Sequence, residues 1–388
     1  MKWFTTTEDL PITFKSKWGN TSIYLKKGET YFSTTSAFNN LIFAWRSQKS
    51  NIEIIEKNIK PTHYIDITQK LNIVNNNSLN KLTHKRDIKI LIINGFVSGI
   101  GDNLVGMQAL AIFNDKWKSK FNKIEYHLYN ENINRIKDTV DRYQVFTKYH
   151  SYPCDTSILK DYDAIIDLDD IHLWPEFNTM NMIDCFLSVM GISPITISPT
   201  DKHLKIPVME NFVKSTKDLF EGIRYNNDKK LLLIQTDSSS LIRGMTKDSL
   251  NVFLQKILDN TDYRIVTFTN TDIQDKRILN LKSFSNTLDE YFSIVACCDY
   301  VICTDTSAYH LSSSFHKPTV VLFTSILPDL RIRYYRKVKP INVMGNDIEK
   351  NPIFGMFDSS DPELIKLTQN KFKDIDIKLV LDTLHSIK

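Results

Sequence analysis

The apolar positions of this chain fall into short unbroken runs and longer stretches with helical spacing, and the two alternate. Residues 88–94 read IKILIIN, the composition of a strand buried on both faces, and residues 104–117 follow with apolar positions three and four apart. Strand-like runs at 124–129 and 164–168 alternate in turn with helical stretches. This predicts a doubly wound α/β domain over 87–205.

The pattern then restarts. Strands at 231–235, 263–268, 300–303 and 319–323 alternate with helices at 247–258, 287–297 and 308–315, predicting a second α/β domain over 206–373. Thr287 and Glu290 have capping-box spacing, and Lys317-Pro318 falls where a helix must already have ended. Ile377, Val380, Leu381, Leu384 and Ile387 share one helical face, so an amphipathic helix closes the chain over 374–388. Residues 1–86 differ. They hold only short alternating or β-branched runs (12–14, 21–25, 30–32, 64–67) and end in an Asn-rich stretch at 75–86, a β-rich N-terminal element.

Composition narrows the class without naming it. A chain of 388 residues with 42% hydrophobic and 24% charged residues is globular, and a net charge of +4 is too small to announce a nucleic-acid binder. Five cysteines (Cys154, Cys185, Cys297, Cys298, Cys303) include no C-x-x-C pair, which argues against a disulfide framework or a zinc site. The N-terminus lacks a signal-peptide core, and no apolar run approaches the roughly 20 residues that span a bilayer. Cytoplasmic residence and no integral membrane segment are expected.

Ligands of open α/β sheets gather where strands end and helices begin. Three such turns carry polar chemistry. After the run at 88–94 comes Gly95-Phe-Val-Ser-Gly99-Ile-Gly101-Asp102-Asn103, which fails the dinucleotide pattern G-x-G-x-x-G because Leu104 stands at its last glycine. Asp102 there is placed either as a general base or as a helix N-cap. After 231–235 come Ser238, Ser239 and Arg243, hydroxyls and a permanent cation suited to a diphosphate, or else a solvated Ser-rich loop. After 300–303 come Asp305, Thr306, Ser307 and His310. Thr306 and His310 are four apart and so share a helix face, the alternative being an Asp cap and a satisfied surface histidine.

These three sites, in this order, resemble the bacterial heptosyltransferase family, glycosyltransferase family nine, over about 88–335. The family opens with a strand, a turn ending Gly-Asp and a helix, as at Gly101-Asp102 here. Its second half carries D-T-G-x-x-H, then K-P and an apolar strand ending Leu-Phe-Gly, matched by Asp305-Thr306-Ser307-Ala308-Tyr309-His310, Lys317-Pro318 and 319–324. The resemblance implies a GT-B fold of two facing Rossmann-like domains and an inverting, metal-independent transfer of sugar from a nucleotide-sugar. It implies that Asp102 deprotonates the acceptor hydroxyl, that Arg243 contacts phosphate beside Ser238 and Ser239, and that Asp305, Thr306, Ser307 and His310 hold the donor. No cofactor is implied beyond the co-substrate. Ser307 and Thr324 stand where the family has glycine, so the donor sugar is left open.

Two further signals compete with or extend this reading. Asp167-Leu168-Asp169 matches the D-x-D of metal-dependent transferases, although the following Asp170 suits a plain acidic loop. Residues 331–339 put five cations and two tyrosines together. This is either a solvated basic edge or a dock for an anionic or hydroxyl-bearing acceptor (a glycan, a protein or a hydroxylated DNA base). Gly101, Asn103, Arg331 and Arg333 are the expected acceptor contacts. A nucleotide-dependent oxidoreductase and a non-catalytic sugar- or nucleotide-binding module are the other functional classes.

Overall fold

The computed structural model describes residues 2–16, 19–33, 41–42, 54–57, 65–66, 79, 82–93, 99–130, 133–150, 154–155, 158, 161–168, 171–173, 175–208, 210–224, 229–345 and 348–388. Tyr64, Ile67, half of the Asn-rich stretch, Gly95, Asp169 and Asp170 lie outside them. The chain divides into two compact units, Met1–Trp174 with Ile183–Ile197, and Pro175–Met182 with Ser198–Lys388.

Unit 1 begins with β1 (Lys2–Thr6), β2 (Leu10–Ser16), β3 (Gly19–Leu25), β4 (Thr30–Ser33), β5 (Ile54–Lys57) and β6 (Ile65–Asp66). Phe4, Leu10, Ile12, Leu25 and Tyr31 form a small buried core there. The α/β part follows with β7 (Asp87–Ile93), α1 (Ile100–Trp117), β8 (Lys123–Tyr129), α2 (Ile133–Val140), β9 (Phe146–His150), β10 (Cys154–Asp155), β11 (Ala164–Asp167) and α3 (Met182–Val189). Its sheet has the order β6-β11-β7-β8-β9 and every pairing is parallel. Ile90, Leu91, Ile92 and Ile93 are fully buried, which explains their unbroken apolar run. The N-terminal element is not self-contained: β6 extends this parallel sheet, while β10 joins the antiparallel order β10-β4-β1-β5.

Unit 2 comprises α4 (Glu210–Arg224), β12 (Leu231–Gln235), α5 (Lys247–Asn260), β13 (Arg264–Thr267), β14 (Ile278–Asn280), α6 (Leu288–Cys297), β15 (Tyr300–Thr304), α7 (Ser307–Ser314), β16 (Thr319–Phe323), α8 (Asp329–Ile332), β17 (Val338–Asn342), α9 (Pro362–Asp374) and α10 (Ile377–His385). The sheet order β14-β13-β12-β15-β16-β17 is all parallel. Numbered from β12 it reads 3-2-1-4-5-6, the Rossmann order. The capping box is present at α6, with Thr287 accepting from the Glu290 N–H. The closing helix α10 buries Val380, Leu381 and Leu384 in the same core as Leu232, Ile302 and Val320. Among the described residues no helix is long and apolar enough to cross a membrane.

Candidate functional site

In the 3-2-1-4-5-6 order the chain reverses direction between β12 and β15, and ligands of open sheets collect outside the strand ends at that point. Both ends are polar here. Thr304 Oγ1 donates to the Thr236 carbonyl at 3.2 Å, tying the two strand ends together. The segment after β12 then folds back on itself, with Met245 N–H reaching Thr236 O at 3.1 Å. Gly244 permits this closure: a Cβ there would lie 2.8 Å from Thr236 O and 2.9 Å from Ser238 N. From α9, the buried Gln369 accepts from Thr246 N–H at 2.8 Å and donates to the carbonyls of Leu241 and Gly244. Within this loop Thr236 Oγ1 and Ser240 Oγ are buried and have no hydrogen-bond partner among the described residues.

The loop presents Arg243. Its Nη1 meets Asp305 Oδ2 at 3.0 Å, its Nη2 donates to Ser239 Oγ at 2.7 Å and its Nε to Phe357 O at 2.8 Å. Asp305 is 7% exposed and also accepts the Tyr309 hydroxyl at Oδ1, 3.1 Å away. Burial by itself would raise the Asp305 pKa, but Arg243, then Arg331, overcome it and hold the carboxyl below its ordinary value. Tyr309 is pushed well up by burial and by the Asp305 charge, so it remains a donor. Ser238 Oγ lies 3.4 Å from Asp305 O. The loop after β12 is thus joined to the strand end of β15 by an ion pair.

The turn after β15 differs in detail from expectation. The cap of α7 is Thr306, which accepts from Ala308 N–H, and not Asp305; Thr306 therefore precedes the helix and does not share a face with His310. His310 is no surface histidine: it is 3% exposed, lies against the Tyr309 ring and shares a hydrogen bond between Nδ1 and the Tyr335 hydroxyl. Burial, reinforced by Arg331, drops its pKa to about 3 against the pull of Asp305, so the ring is neutral near pH 7. Ser307 pairs with the Tyr291 hydroxyl at 3.1 Å. Thr324, buried, donates to Ile242 O at 2.7 Å, a bond from the residue after β16 to the Arg243 loop that glycine could not make.

The basic segment is not a uniform solvated edge. Arg331 is 5% exposed and stacks over Phe177 and Phe357, at 5.0 and 5.7 Å from the ring centroids. Arg333 is half exposed and paired with Asp329. The sequence pattern gave no sign of Phe177, Gly244, Tyr309 or Phe357. The one local signal was Gln369, a polar residue on the apolar face of an amphipathic helix.

Asp102 belongs to unit 1. α1 starts four residues earlier than its apolar spacing suggested, because Gly101, Asp102 and Asn103 form a polar first turn. The cap is Gly99, which excludes Asp102 from that role. Asp102 is part-exposed, and its carboxylate oxygen would lie 2.5 Å from a Cβ at position 99, so a side chain there would push the carboxylate out of its present position. An acid in the first helical turn is stabilised by the helix dipole. Gly101 is part-exposed beside it, whereas Asn103 is 1% exposed and donates its amide to Gly99 O at 2.6 Å, fixing the helix start. Asp167 ends β11, and among the described residues no group of three or more His, Cys, Asp or Glu side chains could hold a metal ion.

No family model and no curated protein matches the chain. Solved structures do. The Escherichia coli ADP-heptose lipopolysaccharide heptosyltransferase II aligns with a TM-score of 0.51 at 14% identity, covering 77% of this chain and 98% of its own. A glycosyl transferase family 9 protein from Veillonella parvula aligns with a TM-score of 0.51 at 10% identity, covering 78% and 97%. The fold is GT-B. In GT-B terms unit 2, with the Rossmann order and the Arg243–Asp305 pair, is the second Rossmann-like domain, and unit 1 with Asp102 is the first.

Proposed function

We propose that the chain is a glycosyltransferase that moves a sugar from a nucleotide-sugar to an acceptor hydroxyl with inversion and without a metal ion. The observation that carries this reading is the Arg243–Asp305 pair, buried at the switch point of a Rossmann-ordered sheet on a GT-B fold. Arg243 supplies charge to the donor diphosphate, and Ser238, Ser239, Thr306 and Ser307 supply hydroxyls and the N–H groups of the α7 start. His310, held neutral, donates or accepts a hydrogen bond without adding charge. An open cavity of about 770 Å³ lined by Asp237, Phe268, Asn270, Asn280, Lys282 and Asn286 adjoins this loop and suits the nucleoside.

Asp102 acts as the base. It takes the proton of the acceptor hydroxyl while that oxygen bonds to the anomeric carbon; the bond from that carbon to the distal phosphate oxygen breaks, and its electron pair leaves with the nucleoside diphosphate. Attack opposite the leaving group inverts the centre. Asp102→Asn removes the base but keeps the shape, so transfer should fall about 100- to 10,000-fold with donor affinity unchanged. Turnover at the wild-type rate would dispose of the base assignment.

The acceptor is a hydroxyl on a glycan, a protein or a hydroxylated DNA base, met by Gly101 and the exposed Arg333, in a cytoplasmic enzyme. ADP-heptose is the first donor to try, given the Escherichia coli neighbour's name, beside UDP-, GDP- and CDP-sugars. Thermal stabilisation by one of them, and transfer that persists in a chelator, are the expected results. Stabilisation by NAD and by no sugar nucleotide would sink the reading in favour of an oxidoreductase.

A further inference from the structure

Arg331 has the burial of a core residue and the bonding of an unfinished site. It is 5% exposed, yet among the described residues its guanidinium makes a single hydrogen bond, Nη1 to the carbonyl of its neighbour Leu330 at 3.2 Å. Among the described residues no carboxylate forms an ion pair with it, and it acts on Asp305 only through space. Asp329, the nearest acid along the chain, is held by Arg333 instead. A buried cation without hydrogen-bonded counter-charge is costly unless something else neutralises it.

The surroundings fix how the cation is presented. Phe177 and Phe357 lie with their ring centroids 5.0 and 5.7 Å from the guanidinium carbon, contacts that favour the cation and supply no acceptor in the plane of its N–H groups. Asn181, in the same 175–182 segment as Phe177, donates to Asp329 O at 2.9 Å and anchors α8. Phe357 links the two arginines: Arg243 Nε holds its carbonyl at 2.8 Å while Arg331 lies over its ring. Arg243 is balanced by Asp305 and His310 is neutral. The cluster therefore carries one excess positive charge, and Arg331 provides it.

We infer that Arg331 binds the sugar-bearing phosphate of the donor, its N–H edge taking the oxyanion charge that builds as the bond to the anomeric carbon breaks. This rests on the glycosyltransferase reading and places Arg331 on the donor, where the sequence suggested the acceptor. Two guanidiniums around Phe357, one balanced and one not, then do what a divalent ion would do for the departing diphosphate.

Calorimetric titration of ADP, UDP, GDP and CDP and of the four monophosphates into wild type, Arg331→Met and Arg331→Lys tests this. Methionine keeps the apolar contact with both rings and removes the charge. The diphosphate that binds wild type should bind R331M about 30-fold more weakly, with R331K between them and the matching monophosphate nearly unaffected. Equal weakening of mono- and diphosphate would reduce Arg331 to a packing role. Unchanged diphosphate affinity would remove Arg331 from the distal phosphate; both results overturn the inference and leave the enzyme class standing. Wild type that binds none of the eight nucleotides would overturn both.

Discussion

Asp305 is a carboxylate removed from water and kept charged by Arg243, and the energy of that arrangement is asymmetric. Breaking a buried pair by removing one partner leaves the other uncompensated and costs about 3–5 kcal/mol, whereas removing both charges costs far less. Asp305→Asn should therefore lower the unfolding free energy of unit 2 by about 3 kcal/mol, and adding Arg243→Met should restore part of it. Denaturant unfolding of the two variants measures this; a double variant weaker than the single one by the full cost of R243M would show the two residues to be independent. Residue type exposed Asp305, Thr306 and His310 as a cluster but not their roles. Asp and Thr both cap helices, and which one does so depends on backbone angles that only the finished turn sets. His310 is buried because Tyr335, from 25 residues away, covers it, a contact no local pattern encodes.

Strands buried on both faces were the most legible elements. The apolar runs at 231–235 and 319–323 coincide with β12 and β16 because every residue but Gln235 is buried there. The edge strands β14 and β17 went unread for the converse reason: half-exposed, they need no apolar run, and Pro340 in β17 is tolerated at a sheet edge. The loop that presents Arg243 was legible as chemistry and not as architecture. Its shape depends on Gly244, where any side chain meets Thr236 O and Ser238 N, and on Gln369, more than 120 residues later. Gly244→Ala should displace Arg243 and weaken nucleotide binding at least about tenfold with the sheet intact, since the Cβ collides with backbone and not with a movable side chain. Gln369→Leu leaves Thr246 N–H and two carbonyls unpaired, and should lower the midpoint of unit 2 by about 2–3 kcal/mol equivalent. Wild-type binding in the first variant or stability in the second would remove the loop from the account.

At the scale of the whole chain, the repeat of α/β architecture was visible as a pattern that restarts, while the sharing of strands between the N-terminal element and the first sheet was not, because β6 and β10 are two-residue pairings without periodicity. Both units bury histidines, and this sets a common response to acid. In unit 1 His127 Nε2 lies 2.7 Å from Glu125 Oε1 and its Nδ1 lies 2.7 Å from the Tyr162 hydroxyl, which is 2.6 Å from His150 Nε2. A carboxylate only accepts, so the bonds run in one direction: His150 N–H to Tyr162 O, Tyr162 O–H to His127 Nδ1, His127 N–H to Glu125. A proton added to His127 Nδ1 faces the tyrosine O–H and breaks that sequence. Burial lowers the pKa of His127, takes that of His150 to about 4 and, in unit 2, takes that of His310 to about 3. Unfolded histidine titrates near 6.5. Above that value both states are neutral and the full stability is present. As the pH falls toward the folded values, the unfolded chain binds protons that the folded chain refuses, and stability is lost; the lowered pKa of Asp305 acts in the same direction at lower pH. His310 alone should cost unit 2 about 2 kcal/mol between pH 7 and pH 5. Scanning calorimetry at pH 7, 6 and 5 should show the transitions of both units moving down together. A unit whose transition holds its position across that range does not keep its histidines neutral, and for unit 1 that result would also rule out the one-way hydrogen-bond sequence through Tyr162.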